Sequence, residues 1–293
     1  MLTIQGVTKQ YGDRRVLDDV TFTVGRGRLT GFVGGNGAGK TTTMRILLGV
    51  LQADSGTVSI DGTRIGPADR RRFGYMPEER GLYPKMPVAE QITYFARLHG
   101  VDKRAAAART TDLLDRLGLA QHATDPVEKL SLGNQQRVQV AAALAHDPEV
   151  LVLDEPFSGL DPMAVDVVLN VLRESAAGGA PVLFSSHQLD VVERLCDDVV
   201  VIADGTIRAA GPQDELRKQA GPAAWELLVD GDVAWLRAEP GVTVREFDGG
   251  YALFEADDAT AQRVLQRAVQ HGTVGSFSPR VPRLSEVFRE VVR

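Results

Sequence analysis

Residues 34–42, Gly-Gly-Asn-Gly-Ala-Gly-Lys-Thr-Thr, constrain the fold of this chain more than any other stretch. Gly34, Gly39, Lys40 and Thr41 occupy the fixed places of the phosphate-binding pattern GxxxxGK[ST]. An apolar strand candidate over residues 29–33 leads into it, and an apolar-periodic helix over 42–48 leads out. Strand, glycine loop and helix in that order belong to an α/β core, and an accidental match would not supply all three. Glycines let backbone N–H groups curl around a polyphosphate, and the helix adds the positive end of its dipole. Gly34, Gly35, Asn36, Gly37, Ala38, Gly39, Lys40, Thr41 and Thr42 are therefore expected to bind a nucleotide through its phosphates. Lys40 would reach the outer phosphates, and the Thr41 hydroxyl would hold Mg²⁺.

At 293 residues the chain is long enough for two domains. Its 43% hydrophobic and 25% charged content is that of a soluble globular protein. No apolar run approaches the length that crosses a bilayer, and the first residues lack the basic-then-apolar layout of a signal peptide. A cytoplasmic chain is expected, with any membrane role reached through a partner. Lys and Arg number 33 against 39 Asp and Glu, a net charge of −6, so no nucleic-acid partner is expected. The single cysteine, Cys196, excludes an internal disulfide and reads as a small buried apolar residue.

In chain order, residues 2–8 and 20–24 read as strands, with Tyr11 in the turn-rich stretch between them. Its ring could stack on a base, although a loop tyrosine is more often half-buried packing. Residues 55–62 and 72–76 read as further strands. From Val88 to about His146 the pattern turns helical. Val88, Ile92, Phe95 and Leu98 share one face; Leu113, Leu114 and Leu117 share another, ended by Gly118; a third helix covers 134–145. The run from Val150 to Leu153 is wholly apolar and stops at Asp154, Glu155 and Pro156, the form of a buried parallel strand. Residues 182–185 repeat that form and end near His187, and 199–202 pairs with 206–208 across Asp204 and Gly205.

This order predicts the α/β fold of a P-loop NTPase. A RecA-like parallel core carries N-terminal antiparallel strands and a helical insertion over about 85–147. A boundary near 212 separates residues 1–212 from a small α+β domain over 213–293. Trp225, Leu227 and Val229, together with Val264, Leu265 and Val269, are expected to form the core of that second domain.

The strand ending at Asp154 complements the phosphate loop. An Asp at the carboxyl end of a buried strand holds the metal that bridges phosphates, and the next Glu orients or deprotonates a water. Asp154 is assigned to Mg²⁺ and Glu155 to the general base. One strand-ending carboxylate would be an ordinary acidic turn; two, in a chain with this loop, point to catalysis.

Leu130, Ser131, Leu132, Gly133, Asn134, Gln135 and Gln136 resemble the signature loop of ATP-binding cassette proteins. The resemblance is ordered along residues 1–212: Tyr11 as the base-stacking aromatic, the phosphate loop, and the Tyr75, Met76, Pro77, Glu78, Glu79 loop. After the signature come Asp154 and Glu155, the dimer loop of Ser158, Gly159, Leu160 and Asp161, and the switch His187. The end of the chain, with Pro282, Arg283, Leu284, Ser285, Glu286, Val287 and Phe288, is similar to the extension of bacterial multidrug and sodium exporter ATPase subunits.

That resemblance implies an ATP-hydrolysing subunit of an exporter, peripheral on the inner face of the cell membrane and bound to separate membrane-spanning permease subunits. It implies a homodimer sandwiching two ATP molecules, in which Ser131 and Gly133 meet the partner's nucleotide. His187 and Lys40 join Glu155 as catalytic groups, and Glu78 joins Thr41 and Asp154 around Mg²⁺. Two places depart from the family pattern. Leu132 and Asn134 stand third and fifth in a signature usually written LSGGQ, and Glu78 stands where the family carries glutamine. The alternative is a soluble mechanical ATPase acting on ribosomes or DNA. One cassette, no sustained heptads and an acidic balance weigh against it. A nucleotide-binding regulator without turnover is disfavoured by the intact Lys40, Asp154, Glu155 and His187.

Overall fold

The strand that feeds the phosphate loop, β3 (Leu29–Val33), is buried at every position, and parallel strands flank it on both sides. The computed structural model describes residues 1–219, 223–280 and 282–291, which divide into two compact units, Met1–Gln213 and Asp214–Val291.

In the first unit, β1 (Leu2–Tyr11) and β2 (Arg14–Val24) form an antiparallel hairpin, followed by β3 and α1 (Lys40–Leu47). Next come β4 (Ser55–Ile60), β5 (Thr63–Arg64), α2 (Pro67–Arg70) and β6 (Phe73–Met76). The helical insertion contains α3 (Val88–Leu98), α4 (Lys103–Arg116) and α5 (Leu132–Leu144). The chain then alternates through β7 (Val150–Leu153), α6 (Pro162–Ala177), β8 (Val182–Ser186), α7 (Leu189–Leu195), β9 (Asp198–Ala203) and β10 (Thr206–Pro212). One sheet has the order β2-β1-β4-β5; the other runs β10-β9-β3-β8-β7-β6, parallel except for β10. The expected parallel core with antiparallel N-terminal strands is thus the observed architecture.

One apolar core joins the two sheets through α1. Leu2, Ile4, Leu17 and Phe22 from the hairpin pack with Phe32, Met44 and Leu47, and the Phe22 and Phe32 rings lie 5.2 Å apart. The hairpin is longer than the sequence expectation: Tyr11 is its last β1 residue, paired with Arg14. Arg14, Arg15, Asp18 and Asp19 mask the strand, and β2 carries bulges there, with Asp19 in the left-handed region (φ 50°).

Two apolar faces also differ from expectation. In α3 the buried stripe is Val88, Gln91, Ile92 and Ala96, and Leu98 is exposed. α4 buries Leu113 and Leu114 as expected, with Leu117 buried at its end and Gly118 at φ 64°. Cys196 is buried, and burial pushes its thiol well above the ordinary value.

After α8 (Gln213–Gln219), the second unit builds an antiparallel sheet of order β12-β13-β11-β14 from β11 (Ala224–Val229), β12 (Thr243–Asp248), β13 (Tyr251–Glu255) and β14 (Val274–Arg280). β12 and β13 form the hairpin expected across residues 248–250. α9 (Asp258–His271) is capped by Asp257 and supplies Ala261, Val264 and Ala268 to a core with Leu227 and Phe254; α10 (Leu284–Val291) follows β14. Val269 is exposed, one residue off the buried stripe. Among the described residues no helix is long and apolar enough to cross a membrane.

Candidate nucleotide site

The carboxyl ends of β3, β7 and β8 and the start of α1 meet at a cleft of about 560 Å³. Its lining includes Tyr11, Gly35, Asn36, Gly37, Gly39, Lys40, Thr41, Thr42, Glu78, Asp154, Glu155 and His187. Residues more than 170 positions apart in sequence therefore share one surface.

The loop geometry requires its glycines. Gly39, just before α1, has φ 110°, and a Cβ there would fall 2.6 Å from Leu17 Cδ2. A Cβ at Gly34 would fall 2.5 Å from the Ile202 carbonyl oxygen. At Gly35 and Gly37 an added Cβ meets nothing within 4 Å, so their backbone borders open space on the cleft side, room for phosphate oxygens. Lys40 is buried and its Nζ donates to the carbonyls of Gly34 (2.6 Å) and Gly35 (3.1 Å). Its charge is thereby aimed back along the loop. Ala38 is buried beneath the loop and joins the apolar core.

Beyond the loop lies a hydrogen-bonded row of polar groups. Thr41 Oγ1 donates to Asp154 Oδ2 at 3.1 Å, and Ser185 Oγ donates to Asp154 Oδ1. Ser185 Oγ also accepts the Glu155 backbone N–H at 2.9 Å, and Gln136 Nε2 donates to the Glu155 carbonyl at 2.9 Å. Glu155 adopts φ 53°, a left-handed conformation that costs a non-glycine residue about 1–3 kcal/mol and persists where surrounding bonds impose it. Its carboxylate meets His187 Nδ1 at 2.8 Å. Burial raises the Glu155 carboxyl above its usual value, a shift that the bond and charge of His187 and the charge of Lys40 oppose. A carboxylate so placed is a stronger proton acceptor than a solvated one.

Thr41 and Asp154 fit a hard divalent cation: an aliphatic hydroxyl and a carboxylate 3.1 Å apart at the edge of a phosphate-sized cradle. Glu78 lines the same cleft. Tyr11 lies on the rim, about half exposed, with Lys9 Nζ 5.5 Å from its ring centroid.

Ser131 and Gly133 stand outside the cleft lining. Ser131 caps α5, its Oγ accepting the Asn134 N–H at 3.2 Å, and Gly133 lies in the first turn. Both departures in this loop have an in-chain account. Asn134 is held by His122 Nε2 (3.1 Å) and by Arg137, while the Leu132 side chain is 60% exposed and displaces nothing within its own chain.

Sequence reasoning missed Ser185, Gln136, Arg14 and Val16. Ser185 carried a faint signal: with Ser186 it closes a buried strand whose first three residues are apolar, two positions before His187. Arg14 and Val16 line the cleft beside Tyr11 because the hairpin is longer than its apolar pattern.

A family model described as ABC transporter matches residues 17–158. A second, described as ATP-binding protein DrrA1-3-like, C-terminal domain, matches residues 211–292. The uncharacterized ABC transporter ATP-binding protein YhaQ of Bacillus subtilis (strain 168) is 36% identical over 293 residues, covering 100% of this chain and 98% of its own. The daunorubicin resistance ATP-binding protein DrrA3 of Streptomyces coeruleorubidus is 34% identical over 300 residues, covering 98% and 94%. Among solved structures, an ATP-binding subunit of an ABC transporter superposes with a TM-score of 0.69 at 35% identity, covering 75% of this chain and 92% of its own. The chain belongs to the ATP-binding cassette transporter family, as one of its ATP-hydrolysing subunits.

Proposed function

We propose that this chain powers an exporter: ATP closes two copies into a sandwich, and the closure drives separate membrane-spanning partners. The observation that carries the reading is the Glu155–His187 pair, 2.8 Å apart in the same cleft as Lys40 and Thr41. Tyr11 stacks on the base, and residues 34–42 bind the phosphates, with Lys40 at the outer ones. Thr41, Asp154 and Glu78 would hold Mg²⁺, which would neutralise phosphate charge. Glu155 takes the proton of the attacking water, and His187 fixes that carboxylate while sensing the γ-phosphate. Ser131 and the start of α5 meet the partner copy's nucleotide, where the helix dipole favours an anion.

Export, rather than work on ribosomes or DNA, is supported by relatives named for daunorubicin resistance, linearmycin resistance and Nod factor export. With no candidate span among the described residues, the chain would sit on the inner face of the cell membrane through its partners. A docking candidate is the half-exposed Tyr83, which stacks against Phe95 of the insertion at 6.3 Å. The test is purification of the tagged chain from membranes. The expected result is copurification with a membrane-spanning subunit, lost in Tyr83→Asp while ATP binding persists. Recovery of both proteins with ribosomes, without any hydrophobic subunit, would overturn the reading.

A further inference from the structure

Helix α5 begins at the signature loop and ends deep in the fold, and it presents two buried glutamines one turn apart, Gln136 and Gln139. Each donates to a carbonyl beside a different acidic residue of the cleft. Gln136 Nε2 bonds the Glu155 carbonyl at 2.9 Å; Gln139 Nε2 bonds the Pro77 carbonyl at 3.2 Å, next to Glu78. The Glu155 peptide groups are thus held by Ser185 on the N–H and by Gln136 on the C=O, which also accepts the Ser158 backbone N–H at 3.1 Å. With Glu155 in the left-handed region, its carboxylate direction depends on both clamps.

A buried amide most often just satisfies a carbonyl. Here two of them connect one rigid helix to both acidic loops of the site, and the N-cap of that helix is Ser131. Over the five residues from Ser131 to Gln136 an α-helix is stiff, so a shift at its N-terminus arrives at Gln136 undiminished. We propose that α5 links the two sites of the sandwich. Gln136 is a positioning residue that carries engagement of Ser131 with the partner copy's nucleotide to Glu155 in its own cleft, and Gln139 does the same for the Glu78 loop. The inference rests on the sandwich dimer proposed above.

The consequence is that each copy's base is set only when the opposite site is filled, so turnover depends cooperatively on ATP. Gln136→Met keeps the length and removes the donor. Its kcat should fall about threefold to tenfold, the effect of one lost hydrogen bond. The Hill slope should drop towards one, while ATP affinity stays at the parental value. Gln136→Glu gives a second readout, because an ionised carboxylate only accepts and a protonated one donates. Its turnover, divided by the parent's at each pH, should rise as pH falls.

The same preparations carry Glu155→Gln, alone and with Gln136→Met, on size-exclusion chromatography with ATP. ATP-dependent dimers from both, with the loss of kcat and slope, support the proposal. If Glu155→Gln alone stays monomeric with ATP, the sandwich reading falls and this inference with it. If it dimerises and Gln136→Met retains parental kcat and slope, only the inference is overturned. Should Gln136→Met not bind ATP, a pH-independent ratio for Gln136→Glu overturns it instead.

Discussion

Replacing Ser185 by alanine tests the geometry behind the candidate base without touching a cleft-lining residue. Ser185 is fully buried at the end of β8, outside the cleft lining. Its hydroxyl makes two bonds, donating to Asp154 Oδ1 and accepting the Glu155 N–H. Losing the first removes a charge-assisted bond of about 1.5–3 kcal/mol, and losing the second leaves a buried N–H unpaired at about 1–3 kcal/mol. Both act through one hydroxyl, so they do not add fully, and the variant should be destabilised by about 2–4 kcal/mol. Alanine adds no bulk, so overpacking does not enter. Urea unfolding of parent and variant reads the loss. In the folded variant the Glu155 N–H loses its partner while its carbonyl keeps Gln136 and the Ser158 N–H, so kcat should fall about tenfold while ATP affinity holds. Stability within about 0.5 kcal/mol of the parent, with parental turnover, would refute the reasoning.

Lys40→Ala should weaken ATP binding by about one to two decades, the worth of a charged hydrogen bond, in a fluorescent-nucleotide titration; unchanged affinity would place the phosphates elsewhere. Glu78→Ala should cut turnover several-fold with little change in ATP affinity, whereas Glu78→Gln keeps an acceptor oxygen and much of the rate; equal activity in both variants removes Glu78 from the site. His146 is pushed from 6.5 to about 4 by burial and by the His99 ring stacked 3.6 Å away, and its Nε2 meets the Phe73 carbonyl. The fold holds the neutral ring, so this contribution is complete above pH 6.5 and is lost as pH falls from 6.5 towards 4, at most about 3 kcal/mol. Urea midpoints should therefore drop more steeply with acid in the parent than in His146→Gln; parallel slopes would contradict that account.

What the sequence revealed follows the range of the physics behind each signal. The phosphate loop was legible because Gly34, Gly39, Lys40 and Thr41 keep a fixed local spacing, even though Ile202, Leu17 and Asp154 meet them from far along the chain. Asp154 and Glu155 were legible because an uninterrupted apolar strand announces burial and its end announces the cleft. Contacts that depend on packing between distant elements left no local pattern. Gln136 looks like any polar residue of a helix start, yet it is buried against residue 155. Leu98 continues the apolar spacing of α3, but the stripe turns with the helix onto Gln91 and Ala96, small or polar side chains that hydrophobicity overlooks. Val269 errs likewise, since a helix advances about 100° per residue and Ala268 takes the inward position. The strand from Arg14 was hidden by the charged residues Arg14, Arg15, Asp18 and Asp19, of which Arg14 lines the cleft rather than a core.

The central claim is that the Glu155 carboxylate activates water on an ATP held between two copies of the chain. Removing a general base typically costs about two to four decades of rate while leaving nucleotide contacts intact. The most direct measurement pairs steady-state ATP hydrolysis by Glu155→Gln with its size-exclusion profile in ATP and in ADP. The account predicts a rate lower by that margin and a dimer that persists in ATP but not in ADP. Parental hydrolysis by Glu155→Gln, or a monomer in both nucleotides, would contradict it.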